Sequence, residues 1–87
     1  MKLKGEWFSR RVWLDGKELL PHESLKVRNH SPDGFYWGYG GSGPSQLALA
    51  ICLKKLPKQE AINRYQEFKW NVIAQLPQGD FEKEIRL

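Results

Sequence analysis

Residues 34–53 read GFYWGYGGSGPSQLALAICL, and they divide the chain into two kinds of structure. Four aromatics in positions 35–39 give way to four glycines in positions 38–43, then to Pro44 and an apolar run. Glycine costs conformational entropy on folding, so it is placed where backbone must turn with positive φ or approach something closely. Such density predicts a loop whose shape is specified. Pro44 suits the first turn of a helix, where its missing N–H is not needed. Gln46 to Leu56 then carries Leu47, Ala48, Leu49, Ala50, Ile51, Cys52 and Leu53 with almost no polar face. A helix that is apolar all round is buried all round.

Upstream of this stretch, the pattern is that of strands. Glu6–Leu14 is rich in β-formers and runs into Asp15-Gly16, a strong short hairpin signal. A two-residue loop there pairs Leu14 with Lys17 and sets Val12 opposite Leu19. Pro21 ends the second strand. Leu25 and Val27 alternate with Lys26, Arg28 and His30, which predicts a third strand. Ser31-Pro32-Asp33-Gly34 has the form of a type I turn, so Phe35–Tyr39 is expected to return as a fourth.

Downstream, Lys58–Leu76 reads as a longer amphipathic helix. Ala61, Ile62, Tyr65, Phe68, Val72, Ile73 and Leu76 fall within an arc of roughly 140° at about 100° per residue. Two residues violate that arc. Lys69 lies inside it, and Trp70 lies on the polar side with Gln59, Asn63 and Gln66. After Pro77-Gln78-Gly79-Asp80 the alternation of Phe81, Lys83, Ile85 and Leu87 predicts a short edge strand, with a terminal helical turn as the alternative. The fold class expected is therefore α+β: a small antiparallel sheet of two N-terminal hairpins on a buried helix and a longer amphipathic one, in a single domain spanning residues 1–87.

Composition narrows the function classes. A chain of 87 residues has no room for a cofactor domain beside a substrate domain. The 14 Lys and Arg against 10 Asp and Glu leave a formal charge of +4, shared equally by the two halves. That balance is mild support for an anionic partner, with a solvated surface as the plainer reading. A single cysteine, Cys52, excludes an internal disulfide and fits a reducing, cytoplasmic compartment. No apolar stretch approaches the length of a membrane span, and MKLKGEWFSRR lacks the apolar middle of a signal peptide.

Gly38-Tyr39-Gly40-Gly41-Ser42-Gly43 matches G-x-G-x-x-G, which in dinucleotide folds brings backbone N–H groups and a helix N-terminus to a pyrophosphate. The predicted helix leads to another helix instead of a parallel strand, so a doubly wound nucleotide fold is excluded. An anion-binding shape survives that exclusion. The competing and favoured reading is that the glycines let the loop pack tightly under Trp37 and Tyr39. Ser42 lacks the following glycine of a nucleophile elbow, because position 44 is proline, and is better read as a cap or loop donor. His22, His30 and Cys52 show no metal-ligand spacing, and no cofactor or catalytic set is recognisable. Aromatics and basic residues on strands (Trp7, Trp13, Phe35, Trp37 and Tyr39 with Arg10, Arg11, Lys26 and Arg28) suggest a base-stacking surface. Core filling explains most of them, and nucleic acid is disfavoured as a partner. Lys69 reads as a snorkelling lysine or, more sharply, as an ammonium aimed at the glycine loop. Trp70 reads as a core cap or a protein-contact residue.

The motif Asn29-His30-Ser31-Pro32-x-Gly34-Phe35-x-Trp37-Gly38-Tyr39-Gly40-Gly41-Ser42-Gly43-Pro44-x-Gln46-Leu47-Ala48-Leu49-Ala50 is long enough to be specific. With Tyr65-Gln66-x-Phe68-Lys69 and Ala74-x-Leu76-Pro77, it resembles a family of small uncharacterised proteins of bacteria, haloarchaea, phages and plasmids. The likeness spans roughly residues 6–85. It implies a life on mobile elements, marks His30, Tyr39–Gln46, Phe68 and Lys69 as signature positions, and implies no activity.

The functional expectation is a non-enzymatic binding protein. Its ligand is a small anion-bearing molecule, a nucleotide among the candidates, held by Tyr39, Gly40, Gly41, Ser42, Gly43, Gln46 and Lys69. The alternative is a protein-interaction module, an inhibitor or adaptor of a host protein, acting through aromatics such as Trp37 and Trp70. Self-association is credible because a sheet this small has open edges.

Overall fold

The computed structural model describes residues 1–87. Four strands form one antiparallel sheet: β1 (Lys2–Gly5), β2 (Val12–Leu14), β3 (Lys17–Leu19) and β4 (Phe81–Glu84), in the spatial order β3-β2-β1-β4. Three helices lie between β3 and β4: α1 (His22–Val27), α2 (Ser42–Lys55) and α3 (Lys58–Asn71), followed by a 3-10 turn at Ile73–Gln75. The α+β class and the C-terminal edge strand are as expected.

The hairpin at Asp15-Gly16 forms in the expected register, with Leu14 opposite Lys17 and Val12 opposite Leu19. Both turn residues have positive φ, 51° and 82°, the geometry that matches the twist of the flanking strands. The other N-terminal hairpin is not where the pattern placed it. It joins β1 to β2 through Glu6–Arg11, pairing Gly5 with Val12, so the chain enters the sheet at Lys2. Gly5 is glycine because β1 runs directly beneath Trp37 and Phe81.

Leu25–His30 is not a strand. Pro21 opens α1, where its missing N–H costs nothing, and Leu25 donates its N–H to the Pro21 carbonyl at 3.0 Å. Glu23 in the first turn and Lys26 in the last suit the helix dipole. Phe35–Tyr39 consequently has no strand to pair with and makes no ladder. It is still extended enough to bury Phe35 and Trp37 and leave Tyr39 out. The indole N–H of Trp37 donates to the Gly79 carbonyl at 3.0 Å, and the Gly38 N–H to Ile73.

α2 is enclosed as predicted, every residue from Gly43 to Cys52 being buried. Sheet residues Leu3, Val12, Leu14 and Leu19 share one core cluster with Leu47, Leu49 and Ile51 of α2 and with Ala61, Tyr65 and Phe68 of α3. α3 ends earlier than its pattern, at Asn71, because Val72 leaves helical geometry. α2 and α3 are joined only through Leu56-Pro57, so they pack antiparallel. That hairpin brings the C-terminal turn of α3 beside the N-terminal turn of α2.

Candidate functional site

The glycine loop is held at its rim by the rings of Trp70 and Tyr39 and by the Cβ and backbone of Tyr36. A Cβ at Gly40 would overlap the Trp70 ring, and one at Gly41 would overlap the Tyr39 ring. A Cβ at Gly43 would come within 2.7 Å of Tyr36 Cβ and 3.3 Å of the Tyr39 hydroxyl. These glycines serve close approach; the residue here that needs positive φ is Gly38, at 83°.

α2 begins with Gly41 as its N-cap and has no side-chain cap and no acidic residue in its first turn. Ser42 is exposed and is the first helical residue, not the cap. The N–H groups of Gly40, Gly41, Ser42 and Gly43 donate to nothing within the fold, leaving main-chain donors without an acceptor at the positive end of a 14-residue helix, those of Gly40, Gly41 and Ser42 on residues at least partly exposed and that of Gly43 buried.

Lys69 reaches this end of α2 from α3. The residue is 7% exposed, yet its ammonium donates no hydrogen bond and faces no carboxylate within ion-pairing distance. Its contact is the face of Trp70, with Nζ 4.1 Å from the ring centroid. Because that ring lies on Gly40, the ammonium sits at the rim of the loop. The stem is buried and only the tip meets solvent. His30 is half-buried in the same neighbourhood, with Nε2 2.8 Å from the Tyr65 hydroxyl. Burial, then the charges of Arg28 and Lys69, holds its imidazole below the ordinary histidine range.

Two residues expected at a binding surface are enclosed instead. Gln46 is fully buried, and its side-chain amide is spent inside the fold. Oε1 accepts from the N–H of His30 at 2.8 Å and of Ser31 at 3.1 Å. Nε2 donates to Ser24 Oγ at 2.9 Å and to the Arg28 carbonyl at 3.0 Å. Trp37 is also fully buried, between Trp7, Tyr36 and Phe81. Neither is available to a ligand or partner. Tyr39 and Trp70 remain at the surface, 41% and 54% exposed. The base-stacking surface read on the strands does not form, because Phe35 and Trp37 are buried and Lys26 lies on α1.

The structure thus assembles Tyr39, Gly40, Gly41, Ser42, Gly43, Lys69 and Trp70 in one place and withdraws Gln46 and Trp37 from it. Sequence reading missed Tyr36, which supports Tyr39 and Gly43, and the His30–Tyr65 pair. The Tyr36 contacts lie within three to seven residues of it, in the aromatic–glycine stretch itself, whereas the His30–Tyr65 pair joins residues 35 apart and had no local signal. Five surface hollows of the fold lie elsewhere, lined by neither the glycine loop nor Lys69. His22, His30 and Cys52 do not come together, and no group of three or more potential metal ligands exists in the fold.

The model of a family of unknown function, DUF6166, matches residues 4–86. The chain belongs to that family. The match takes in the whole sheet except its first strand residues, all three helices and the glycine loop, so the DUF6166 unit and the fold described above are coextensive. No curated protein and no solved structure matches the chain.

Proposed function

We propose that this DUF6166 protein is a non-enzymatic binding protein that takes an anionic group at the N-terminus of α2. One observation carries the reading. Lys69, 7% exposed and without a counter-ion, lays its ammonium on the Trp70 ring that abuts Gly40, beside the end of α2 where the N–H groups of Gly41, Ser42 and Gly43 have no acceptor. Anions are favourable at that end, and the last turn of α3 favours the Lys69 cation, so a bound phosphate or carboxylate would accept from the amides and pair with Lys69. Phosphate-bearing small molecules, nucleotides included, are the first candidates. The single buried thiol of Cys52 fits a reducing, cytoplasmic setting, and no helix is long and apolar enough to cross a membrane.

The test is thermal denaturation with inorganic phosphate, pyrophosphate and a panel of nucleotides at millimolar concentration. Saturating ligand at about 100 Kd adds about 2.7 kcal/mol, a clear rise in Tm for a chain this small. The rise is expected to vanish in Lys69→Met. Absence of any shift across the panel contradicts the reading.

The exposure of Tyr39 and Trp70 favours a second reading, a contact surface for a host protein. Capture of a host protein that is lost in Trp70→Ala but indifferent to pyrophosphate would replace the first reading with the second.

A further inference from the structure

The outer side of β4 pairs with nothing. This edge strand joins the sheet only through β1, and Ile85 continues that pairing by exchanging hydrogen bonds with Met1. In an antiparallel ladder, residues that bond to the neighbouring strand alternate with residues that bond away from it. Phe81, Lys83 and Ile85 face β1, so the N–H and C=O groups of Glu82 and Glu84 lie on the free edge. The main chain of Arg86 and Leu87 makes no hydrogen bond within the fold. Beside this edge runs a furrow. A hollow of about 360 Å³ is lined by Lys83–Arg86 on one side and by Val72, Gln75 and Leu76 on the other. A smaller one of about 100 Å³ shares Asn71, Val72 and Arg86 with it and adds Phe68 and Leu87.

We infer that this edge pairs with the same edge of a second copy of the chain, the two strands running antiparallel about a two-fold axis at Ile85. The sequence Lys83-Glu84-Ile85-Arg86-Leu87 selects both the occupant and the register. Outward-bonding residues can only meet outward-bonding residues, so the axis passes through a residue and not between two. An axis at Glu82, Lys83, Glu84 or Arg86 sets that charge against its own copy, and one at Phe81 sets Glu82 against Asp80. An axis at Ile85 opposes no like charges. It sets Ile85 against Ile85, Glu84 against Arg86 and Lys83 against Leu87.

In that register Glu84 and Arg86 exchange both main-chain hydrogen bonds, and symmetry repeats the exchange. Their side chains form two ion pairs on the open face of the sheet. Both are free to do so. Arg86 is exposed and has no carboxylate partner in the isolated chain, and Glu84 is 73% exposed with only the Met1 amino group beside it. On the helix side of the sheet, Leu87 of the second copy falls opposite Lys83, at the furrow. Lys83 limits the strength. A lysine on the core side of an edge strand disfavours pairing, and the edge is short, so the dimer is reversible and concentration-dependent. No residue of the proposed anion site lies on this edge, and the two readings stand or fall separately.

Sedimentation equilibrium of the full chain from micromolar to millimolar concentration tests the inference, and a monomer–dimer equilibrium is expected. Glu84→Arg and Arg86→Glu each set like charges across the axis and should weaken it about tenfold or more. Both positions are exposed, so the variants keep the fold, which circular dichroism checks. Mixed in equal amounts, the two variants are complementary at both pairs and should form a dimer that neither forms alone. Lys83→Val should tighten the equilibrium of the otherwise unchanged chain. A chain that stays monomeric at millimolar concentration overturns the inference. So does a dimer that survives either charge reversal, or a mixture of the two folded variants that does not associate.

Discussion

Gln46 and Lys69 are both polar residues on core-facing positions of packed helices, and they have opposite fates. The Gln46 amide makes all four of the hydrogen bonds described above and buckles the His30-Ser31 segment to α1 and α2. Replacement by leucine keeps the bulk but strands two N–H donors and a carbonyl. We expect Gln46→Leu to cost about 2–4 kcal/mol, read as a fall in the urea midpoint at unchanged m-value. A loss below about 1 kcal/mol would mean water reaches those groups. Lys69 has no comparable partners, so Lys69→Met is expected to leave stability unchanged or raise it. His30 adds a pH dependence of definite sign. Its folded pKa lies below the unfolded value, so between the two the unfolded chain binds more protons and stability rises with pH. Its share of stability is complete above the ordinary histidine range and is lost as pH falls through it. His30→Gln should flatten the Tm-versus-pH curve from pH 7 to 5, and an NMR titration should place the His30 midpoint below 6.5.

At the level of elements, what was legible was what local chemistry decides. Asp15-Gly16 fixed a hairpin and its register because positive φ at both positions belongs to one turn type. The all-apolar face of Leu47–Leu53 fixed a buried helix, and Lys69 and Trp70 stood out because they broke the arc of α3. Leu25–His30 was misread because four alternating residues also fit one turn and a half of helix, and Pro21 is as good a helix opener as a strand stop. The site was half legible. The glycine density announced a shaped loop, but which glycines approach which rings depends on Trp70, thirty residues away. Gln46 looked like a first-turn ligand and was a buckle, a distinction set by α1, which the pattern had assigned to a strand. Close approach also governs the sheet. At Gly5 a Cβ would meet Phe81 at 2.5 Å and the buried Trp37 at 2.9 Å, whereas at Gly79 nothing lies within 4 Å. Gly5→Ala is accordingly expected to destabilise by about 1–3 kcal/mol, and Gly79→Ala to be neutral or stabilising by up to about 1 kcal/mol, in chemical denaturation. Equal effects at the two sites would contradict the packing account of β1.

The molecule as a whole is closed by its ends. The α-amino group of Met1 pairs with Glu84 and donates to the Ile85 carbonyl, so the first and last strands seal each other at the sheet edge. The remaining ion pairs are between exposed or half-exposed side chains and contribute little each. Against that background of paired surface charge, Lys69 is a largely buried residue whose cation has no counter-charge, and it stands in the last turn of α3 beside the start of α2. The proposed function depends on that coincidence being a binding site. The most direct measurement is a ¹H–¹⁵N NMR titration of the full chain with pyrophosphate. The account predicts saturable shifts centred on the amides of Gly40, Gly41, Ser42 and Gly43, abolished in Lys69→Met. Unmoved loop amides at millimolar pyrophosphate, or shifts that persist unaltered in Lys69→Met, would contradict it.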